Sequence, residues 1–172
     1  VAYPGFGTLL GAVREKRFIP NDDDVDIVYI SNHTDIHLIV AECKDIVERI
    51  SKLGLLYQYF NYSPHGSTKK FNRKYEPTGQ IHLYSPNKRN IFDLFASWKN
   101  PVGEYVFCQW GNVGKVDTRT RKATINGQDI QIPVASERIL KQLFGDWKTP
   151  RDEKISKRRE RGCYFFTEAT LK

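Results

Sequence analysis

The sequence predicts a mixed α/β fold of the α+β type, and three patterns in its 172 residues favour this class. One long segment carries apolar residues at three- and four-residue steps, which is typical of an amphipathic helix. Short runs rich in β-branched and aromatic residues, bounded by glycine, proline or asparagine, are typical of strands. These segments follow one another without an internal repeat or a low-complexity linker. We therefore expect a single domain.

The first elements surround a glycine-rich turn. Residues 1–3 are expected to end a strand. Thr8 is expected to cap a short helix at residues 9–16, because its hydroxyl can accept a hydrogen bond from a free backbone N–H. Pro20 biases the preceding residue towards extended geometry and so ends this helix. A strand is predicted next, at residues 24–30.

Two further helices are predicted. Apolar residues recur at helical spacing over residues 36–53, with Asn32 or Thr34 as the expected cap and Gly54 at the C-terminal end. A shorter helix is predicted at residues 136–144, where a serine precedes the periodic segment and a glycine follows it.

The remaining strands are short. They are predicted at residues 55–59, 80–84 and 90–95. Asn126 and Gly127 form the turn signal of a β-hairpin, with arms at residues 122–125 and 128–132. Turn-rich sequence separates this hairpin from the strands before it.

The net charge of +7 is unevenly distributed. Two basic segments stand out: Lys69, Lys70, Arg73 and Lys74, and then Lys157, Arg158 and Arg159. Such segments attract polyanions such as nucleic acid, phosphorylated polymers or anionic lipid, although a solvated basic face is the commoner case for any single segment.

Cysteine content and hydropathy exclude several classes. Three widely spaced cysteines without a C-x-x-C pair predict neither a disulfide framework nor a zinc site. No apolar run approaches the roughly 20 residues that a membrane helix needs. The chain begins at Val1 and contains no Met, so we expect a trimmed domain of a larger multidomain or peripheral membrane protein.

Four carboxylates fall within five residues, at Asp22, Asp23, Asp24 and Asp26. Alternate residues of a strand share a face, so Asp24 and Asp26 are expected to repel each other unless a cation lies between them. Hard divalent cations such as Mg²⁺ take oxygen ligands and bridge to substrate phosphates. A solvated acidic turn would explain Asp22 and Asp23, but not two acids that lead into a core-like strand.

Two known motifs are excluded. An EF-hand requires glycine at its sixth position and glutamate at its twelfth, where this chain has Ile27 and His33. Gly5, Gly7 and Gly11 do not match the dinucleotide motif G-x-G-x-x-G, and no G-K-[ST] follows. What remains is a glycine turn into a helix N-terminus, which favours an anion such as phosphate.

The segment GTLLGAVREKRFIPNDDDVDI resembles the signature of the LicD/fukutin family, within the DNA polymerase beta-like nucleotidyltransferase superfamily. The segment NIFDLF resembles the strand that carries the superfamily's third carboxylate, which would be Asp93. The segment IPVASERILKQLFGDWKTP resembles the family's closing helix and its aromatic-Gly-Asp motif. The chain departs from the family pattern at Asn21, where a tryptophan is usual.

This resemblance implies a nucleotidyltransferase-like mixed sheet flanked by helices. That domain would span residues 1–150, with a charged C-terminal extension at residues 151–172. The implied reaction moves a phospho-alcohol, of the phosphocholine, ribitol phosphate or glycerol phosphate type, from a CDP-linked alcohol donor to a glycan hydroxyl. On this interpretation we expect the basic segments to serve a glycan or phosphopolymer acceptor, and we expect no nucleic acid partner.

The resemblance also implies roles for individual residues. Asp24, Asp26 and Asp93 would be the catalytic carboxylates and would hold Mg²⁺ or Mn²⁺. Three other residues would bind the donor phosphates: Gly7, Thr8 and Arg14.

Two alternatives stay open. The same fold could move a nucleoside monophosphate from a nucleoside triphosphate onto a small molecule, protein or RNA. The basic segments could instead belong to a non-catalytic glycan- or polyanion-binding module. The favoured setting is the bacterial cytoplasm, including the inner face of the membrane, for an enzyme of capsule or teichoic acid synthesis. The Golgi lumen is the alternative.

Overall fold

The computed structural model describes residues 1–20, 22, 24–59, 79–87, 90–108 and 111–150. Within these residues the fold is mixed α+β, as the sequence predicts: a seven-stranded mixed sheet, a separate two-stranded sheet and three α-helices. No helix in the described ranges is long and apolar enough to cross a membrane. Both basic segments named above lie outside these ranges.

Within the described ranges, nine strands and three α-helices follow one another in sequence order. They are β1 Ala2–Pro4, α1 Phe6–Leu10, β2 Asp26–Ile30, α2 Ile36–Ser51, β3 Leu56–Tyr59, β4 Gln80–Tyr84, β5 Asn90–Lys99, β6 Tyr105–Phe107, β7 Gly111–Gly114, β8 Thr120–Ile125, β9 Gln128–Pro133 and α3 Ser136–Phe144. A π-helical segment, Gly11–Glu15, continues α1.

The large sheet has the order β1-β2-β5-β4-β3. In addition, β6 pairs with β5, and β7 pairs with β6. Strands β2 and β5 are parallel, and the other pairs are antiparallel. Since alternate residues point to opposite sides of a sheet, β2, β4 and β5 each contribute to two different environments.

Each side of the sheet has its own core. On the side we call the α2 face, Tyr29, Ile81, Leu83, Leu94 and Ala96 pack with the buried residues of α2. On the opposite side, the α1 face, Val28 and Phe95 pack with residues of α1, α3 and the hairpin. The α1 face also carries the polar side chains of the same three strands, described below.

Several sequence-based predictions match the structure closely. Helix α3 and strand β4 have the predicted bounds. The hairpin turns at Asn126 and Gly127, whose φ angles of 48° and 77° are those required by a tight hairpin turn. Gly54 takes a φ of 81° in the turn that follows α2.

Both predicted N-terminal caps were wrong. Helix α1 begins at Phe6 rather than at residue 9, because the Leu9 N–H donates to the Gly5 carbonyl at 2.6 Å. Thr8 is therefore inside the first turn and does not cap it. The cap of α2 is Asp35, whose carboxylate accepts from the His37 N–H at 2.8 Å, since a cap must stand directly before the first helical residue.

Three strand predictions also differ from the structure. Strand β2 begins at Asp26, two residues later than predicted. Strand β5 continues to Lys99, because Ser97 pairs with Ile30 on one side and Phe107 on the other. Strands β6 and β7 were not predicted: β6 has only three residues, YVF, between turn-rich segments, and β7 has the sequence GNVG, which resembles a turn.

Candidate active site

Parallel pairing brings two buried carboxylates to one place on the α1 face. Asp26 opens β2, Asp93 lies near the start of β5, and the two residues are direct partners in the ladder. Both side chains are buried. Asp24 lies in the bend just before β2 and is partly buried. One carboxylate oxygen from each of the three residues falls within 4.8 Å of the others.

Asp26 is held at both ends by the start of α1. The Gly7 N–H donates to its carboxylate at 3.0 Å, and its own N–H donates to the Thr8 hydroxyl at 2.9 Å. The Gly5 N–H donates to its carbonyl at 2.9 Å. These bonds fix the helix start against β2, so the glycine turn and the carboxylates form one unit.

Burial and neighbouring negative charges disfavour the ionised form of Asp26. Its pKa is raised to about 7, first by burial and next by the charge of Asp24, while the Gly7 N–H acts in the opposite direction. Asp93 and Asp22 raise the pKa further. A carboxylate that is ionised at neutral pH in such surroundings favours a bound cation.

Gly7 lies where a side chain would disturb the carboxylates. A Cβ built on Gly7 would come within 2.6 Å of Asp22 Oδ2 and 3.4 Å of Asp26 Oδ2. The absence of a side chain at residue 7 therefore lets the backbone approach both carboxylates closely. Its N–H donates to Asp26 in this structure, and its role towards a donor phosphate stays a prediction.

Phe6 holds the turn under conformational strain. Its φ of 35° lies in a region that bulky residues rarely adopt. Its ring packs edge-on against Phe95, with centroids 4.4 Å apart, and also contacts Phe107. Because Phe95 follows Asp93 by two residues on the same face of β5, this contact ties the strained turn to the strand of the third carboxylate.

Asp93 is bound by two side chains of β4 that the sequence analysis did not single out. The Gln80 amide donates to Asp93 Oδ2 at 2.8 Å, and His82 Nδ1 lies 2.6 Å from Asp93 Oδ1. His82 faces Asp93 directly across the ladder. In β4, the polar residues Gln80 and His82 alternate with the buried apolar residues Ile81 and Leu83. This alternation is the sequence signal that could have identified Gln80 and His82.

Asp22 also lies near the cluster, whereas the sequence analysis allowed it to be part of a solvated acidic turn. Its carboxylate approaches the position of a Gly7 side chain, and its charge adds to the raised pKa of Asp26. The spacing Asp22, Asp24, Asp26 was the available signal. Asp23 lies outside the described residues.

Two predicted phosphate ligands have other partners in the fold. Thr8 is buried, and its hydroxyl oxygen accepts from the Asp26 N–H. Arg14 Nε donates to Glu15 at 2.6 Å, and Arg14 Nη1 donates to the Trp147 carbonyl at 3.0 Å. These bonds connect the glycine turn to β2 and the π-helical segment to the residues after α3. A phosphate role for either residue stays a prediction.

The donor set fits a hard divalent cation. Three carboxylate oxygens lie within reach of a common centre, and two of the three side chains are buried. Carboxylates are the ligands that Mg²⁺ and Mn²⁺ prefer. Burial first, and then the charges of Asp24, Asp93 and Asp22, raise the pKa of Asp26, and a cation held by these carboxylates would offset both effects.

Comparison with known proteins agrees with this geometry. No curated protein gives a significant match to the chain. A family model described as the nucleotidyltransferase domain of LicD/FKTN/FKRP matches residues 3–125, a span that includes the glycine turn and all three clustered carboxylates. The match covers well over half of the chain, and the chain therefore belongs to the LicD/FKTN/FKRP family.

Proposed function

We propose that this domain is a Mg²⁺- or Mn²⁺-dependent phosphotransferase that moves a phospho-alcohol from a CDP-linked donor to a glycan or phosphopolymer hydroxyl. Membership of the LicD/FKTN/FKRP family implies phosphotransferase-type activity on glycans and metal dependence in general. The single observation that carries the proposal is the convergence of Asp24, Asp26 and Asp93 beside the glycine turn.

Each carboxylate has a defined task in this proposal. Asp24, Asp26 and Asp93 would hold the cation, which when bound supplies positive charge for an in-line displacement at phosphorus. The acceptor oxygen forms a bond to the phosphorus that carries the alcohol, and the bond from that phosphorus to the bridging oxygen breaks. CMP leaves with that oxygen and its electron pair. Asp93 orients the acceptor hydroxyl and takes up its proton.

The turn and the helix start give the carboxylates a fixed frame. Gly7 keeps the approach to the cluster free of a side chain. Thr8 and Gly5 hold the backbone of Asp26 in place. Placing reacting groups in advance lowers the entropic part of the barrier.

The extent of the domain is part of the proposal. Ile139, Leu140, Leu143 and Trp147 belong to the core of the α1 face, although the family match ends at Ile125. This packing supports a domain at residues 1–150 with residues 151–172 as an extension. The proposed setting is the bacterial cytoplasm, with the Golgi lumen as the alternative.

A second reaction is supported by the family's own description as a nucleotidyltransferase domain. In that case a nucleoside triphosphate is attacked at its α-phosphorus and pyrophosphate leaves. The two reactions therefore differ in the leaving group, although both use the same carboxylates.

The leaving group decides between them. The protein is incubated with Mg²⁺, a glycan acceptor and a panel of CDP-choline, CDP-ribitol, CDP-glycerol and the four NTPs. CMP release from one CDP-alcohol is the expected result, and pyrophosphate release from an NTP would favour the nucleotidyltransferase instead. Polymer binding without turnover of any donor would contradict both and favour a binding module.

A further inference from the structure

Asp93 occupies a special position among the three carboxylates because strands flank it on both sides. Asp26 is its partner on β2, and His82 is its partner on β4. Gln80 lies two residues from His82 on the same face of β4. The sheet therefore delivers two polar side chains from one strand to a single carboxylate of the neighbouring strand.

Both oxygens of Asp93 are engaged by these side chains. The Gln80 amide donates to Oδ2 at 2.8 Å, and His82 Nδ1 reaches Oδ1 at 2.6 Å. An ionised carboxylate only accepts hydrogen bonds, so Nδ1 of His82 must carry the hydrogen in this pair. Two donors on two different oxygens fix the rotation of the carboxylate about its Cβ–Cγ bond.

Fixing this rotation matters for a metal site. Each carboxylate oxygen has two lone pairs, and the bonds from β4 use one on each oxygen. Asp24 and Asp26 each have an oxygen within 4.8 Å of an Asp93 oxygen, so the orientation of Asp93 decides how well a cation shared by the three carboxylates is bound. Partners of this kind typically change metal affinity about ten- to hundredfold.

We propose that Gln80 and His82 are positioning residues that orient Asp93 towards Asp24 and Asp26 and thereby set the affinity of the three carboxylates for a divalent cation. This inference rests on the metal-assisted transfer proposed above. Neither residue is assigned a contact with the substrate. Their effect is transmitted through the orientation of Asp93.

The test measures Mn²⁺ binding to the purified protein by isothermal titration calorimetry, without a nucleotide or an acceptor. His82→Leu and Gln80→Met remove one donor each at similar volume. We expect each variant to bind Mn²⁺ about ten- to hundredfold more weakly than the wild type. His82→Asn places an amide N–H at the position of Nδ1, so we expect it to stay within about threefold of the wild type.

Two controls separate positioning from folding. Gln131→Met changes an exposed glutamine of β9 and should leave Mn²⁺ affinity unchanged. Thermal unfolding without metal reports stability separately, and titrations are made well below each midpoint. Lower stability with wild-type Mn²⁺ affinity in both His82→Leu and Gln80→Met would show a merely structural role and overturn the proposal.

The outcomes also separate this inference from the proposed function. If Asp93→Asn weakens Mn²⁺ binding but both β4 variants bind as the wild type does, only the positioning role fails. If the wild type binds no Mn²⁺, the metal site and the positioning role fail together. Weak binding in His82→Leu that is not restored in His82→Asn would contradict the hydrogen bond to Asp93 as the cause.

Discussion

The two faces of the central sheet are made by the same strands and each has an apolar core, but the α1 face also carries the polar side chains of the carboxylate site. On β4, Ile81 and Leu83 are buried in the core of the α2 face, while Gln80 and His82 serve a carboxylate on the α1 face. On β5, Leu94 belongs to the first group and Asp93 to the second. Both faces carry an apolar core, but the α1 face also holds buried charges that cost stability.

This difference shows that residues of a polar site and residues of an apolar core can be direct neighbours in the sequence of one strand. Neighbouring residues of a strand point in opposite directions, so Asp93 contacts polar side chains while the adjacent Leu94 packs in an apolar core. The α2 face gains from every buried methylene. On the α1 face, the charge of Asp26 is tolerated only because the glycine turn, and in our proposal a cation, compensates for it.

The largest expected effect is loss of turnover in Asp26→Asn. The amide keeps the shape of the side chain but removes a charged ligand, so CMP release should fall by several orders of magnitude. The metal-free protein should be at least as stable as the wild type, since repulsion among the carboxylates is relieved. Asp129→Asn, at an exposed position of β9, is the matched control. Near-normal turnover in Asp26→Asn would refute the carboxylate mechanism.

The stability of the metal-free protein should depend on pH through Asp26. Its pKa is about 7 in the folded state against 3.8 for the ordinary group. Between these values the folded state binds one more proton than the unfolded state. Stability therefore falls as pH rises, by about 4 kcal/mol in total at most, and levels off above pH 7.

Urea unfolding with EDTA, measured from pH 4.5 to pH 8, checks this dependence. The difference between wild type and Asp26→Asn isolates the contribution of this one group, and excess Mg²⁺ should reduce the loss at high pH. Parallel curves for the two proteins would show that Asp26 titrates normally.

A substitution on the α2 face should lower stability but not turnover, which is the opposite of the effect expected for the carboxylates. Leu83 is fully buried, so Leu83→Ala should lower the free energy of unfolding by about 2–5 kcal/mol. Turnover per folded molecule should stay close to wild type, because the side chain points away from the site. Leu53→Ala removes an exposed leucine and should cost far less in the same urea titration. A large loss of kcat in folded Leu83→Ala would show that the faces are coupled.

The smallest effect is expected for Gly7→Ala. A methyl group at Gly7 would contact the Asp22 and Asp26 carboxylates and should weaken Mn²⁺ binding and turnover about tenfold, or roughly 1.4 kcal/mol. Gly54→Ala is a comparison in the turn after α2: no atom lies within 4 Å of its added methyl, but its φ of 81° strains an alanine, so this variant should lose stability and keep wild-type Mn²⁺ affinity. Equal Mn²⁺ affinity in Gly7→Ala and the wild type would mean that the carboxylates can move aside.

Asp24 and Asp26 were predictable from a local pattern, because they lead into an apolar strand. The bounds of α3 and the hairpin turn were predictable for the same reason, since Gly145 and Asn126–Gly127 are local signals. In each case the information lies within a few residues of the feature. Asp93 was identified only through the resemblance of its segment to a known family.

What the sequence did not reveal depends on pairing between distant segments. Gln80 and His82 acquire their role only because β4 lies beside β5 in one register. The Thr8 hydroxyl bonds to Asp26, 18 residues away, and so does not cap its own helix. Strand β6 is extended against β5, and β7 is extended against β6. Register of this kind has no short-range signature.

Thermal unfolding with and without Mn²⁺ tests the central claim most directly, namely that the α1 face carries a divalent cation site made by Asp24, Asp26 and Asp93. At a concentration 100 times its Kd, the ion should stabilise the wild type by about 2.7 kcal/mol and raise Tm by about 5–10 °C. The same concentration should shift Asp26→Asn much less and Asp129→Asn as much as the wild type. A wild type that Mn²⁺ does not shift, or an equal shift in Asp26→Asn, would contradict the account.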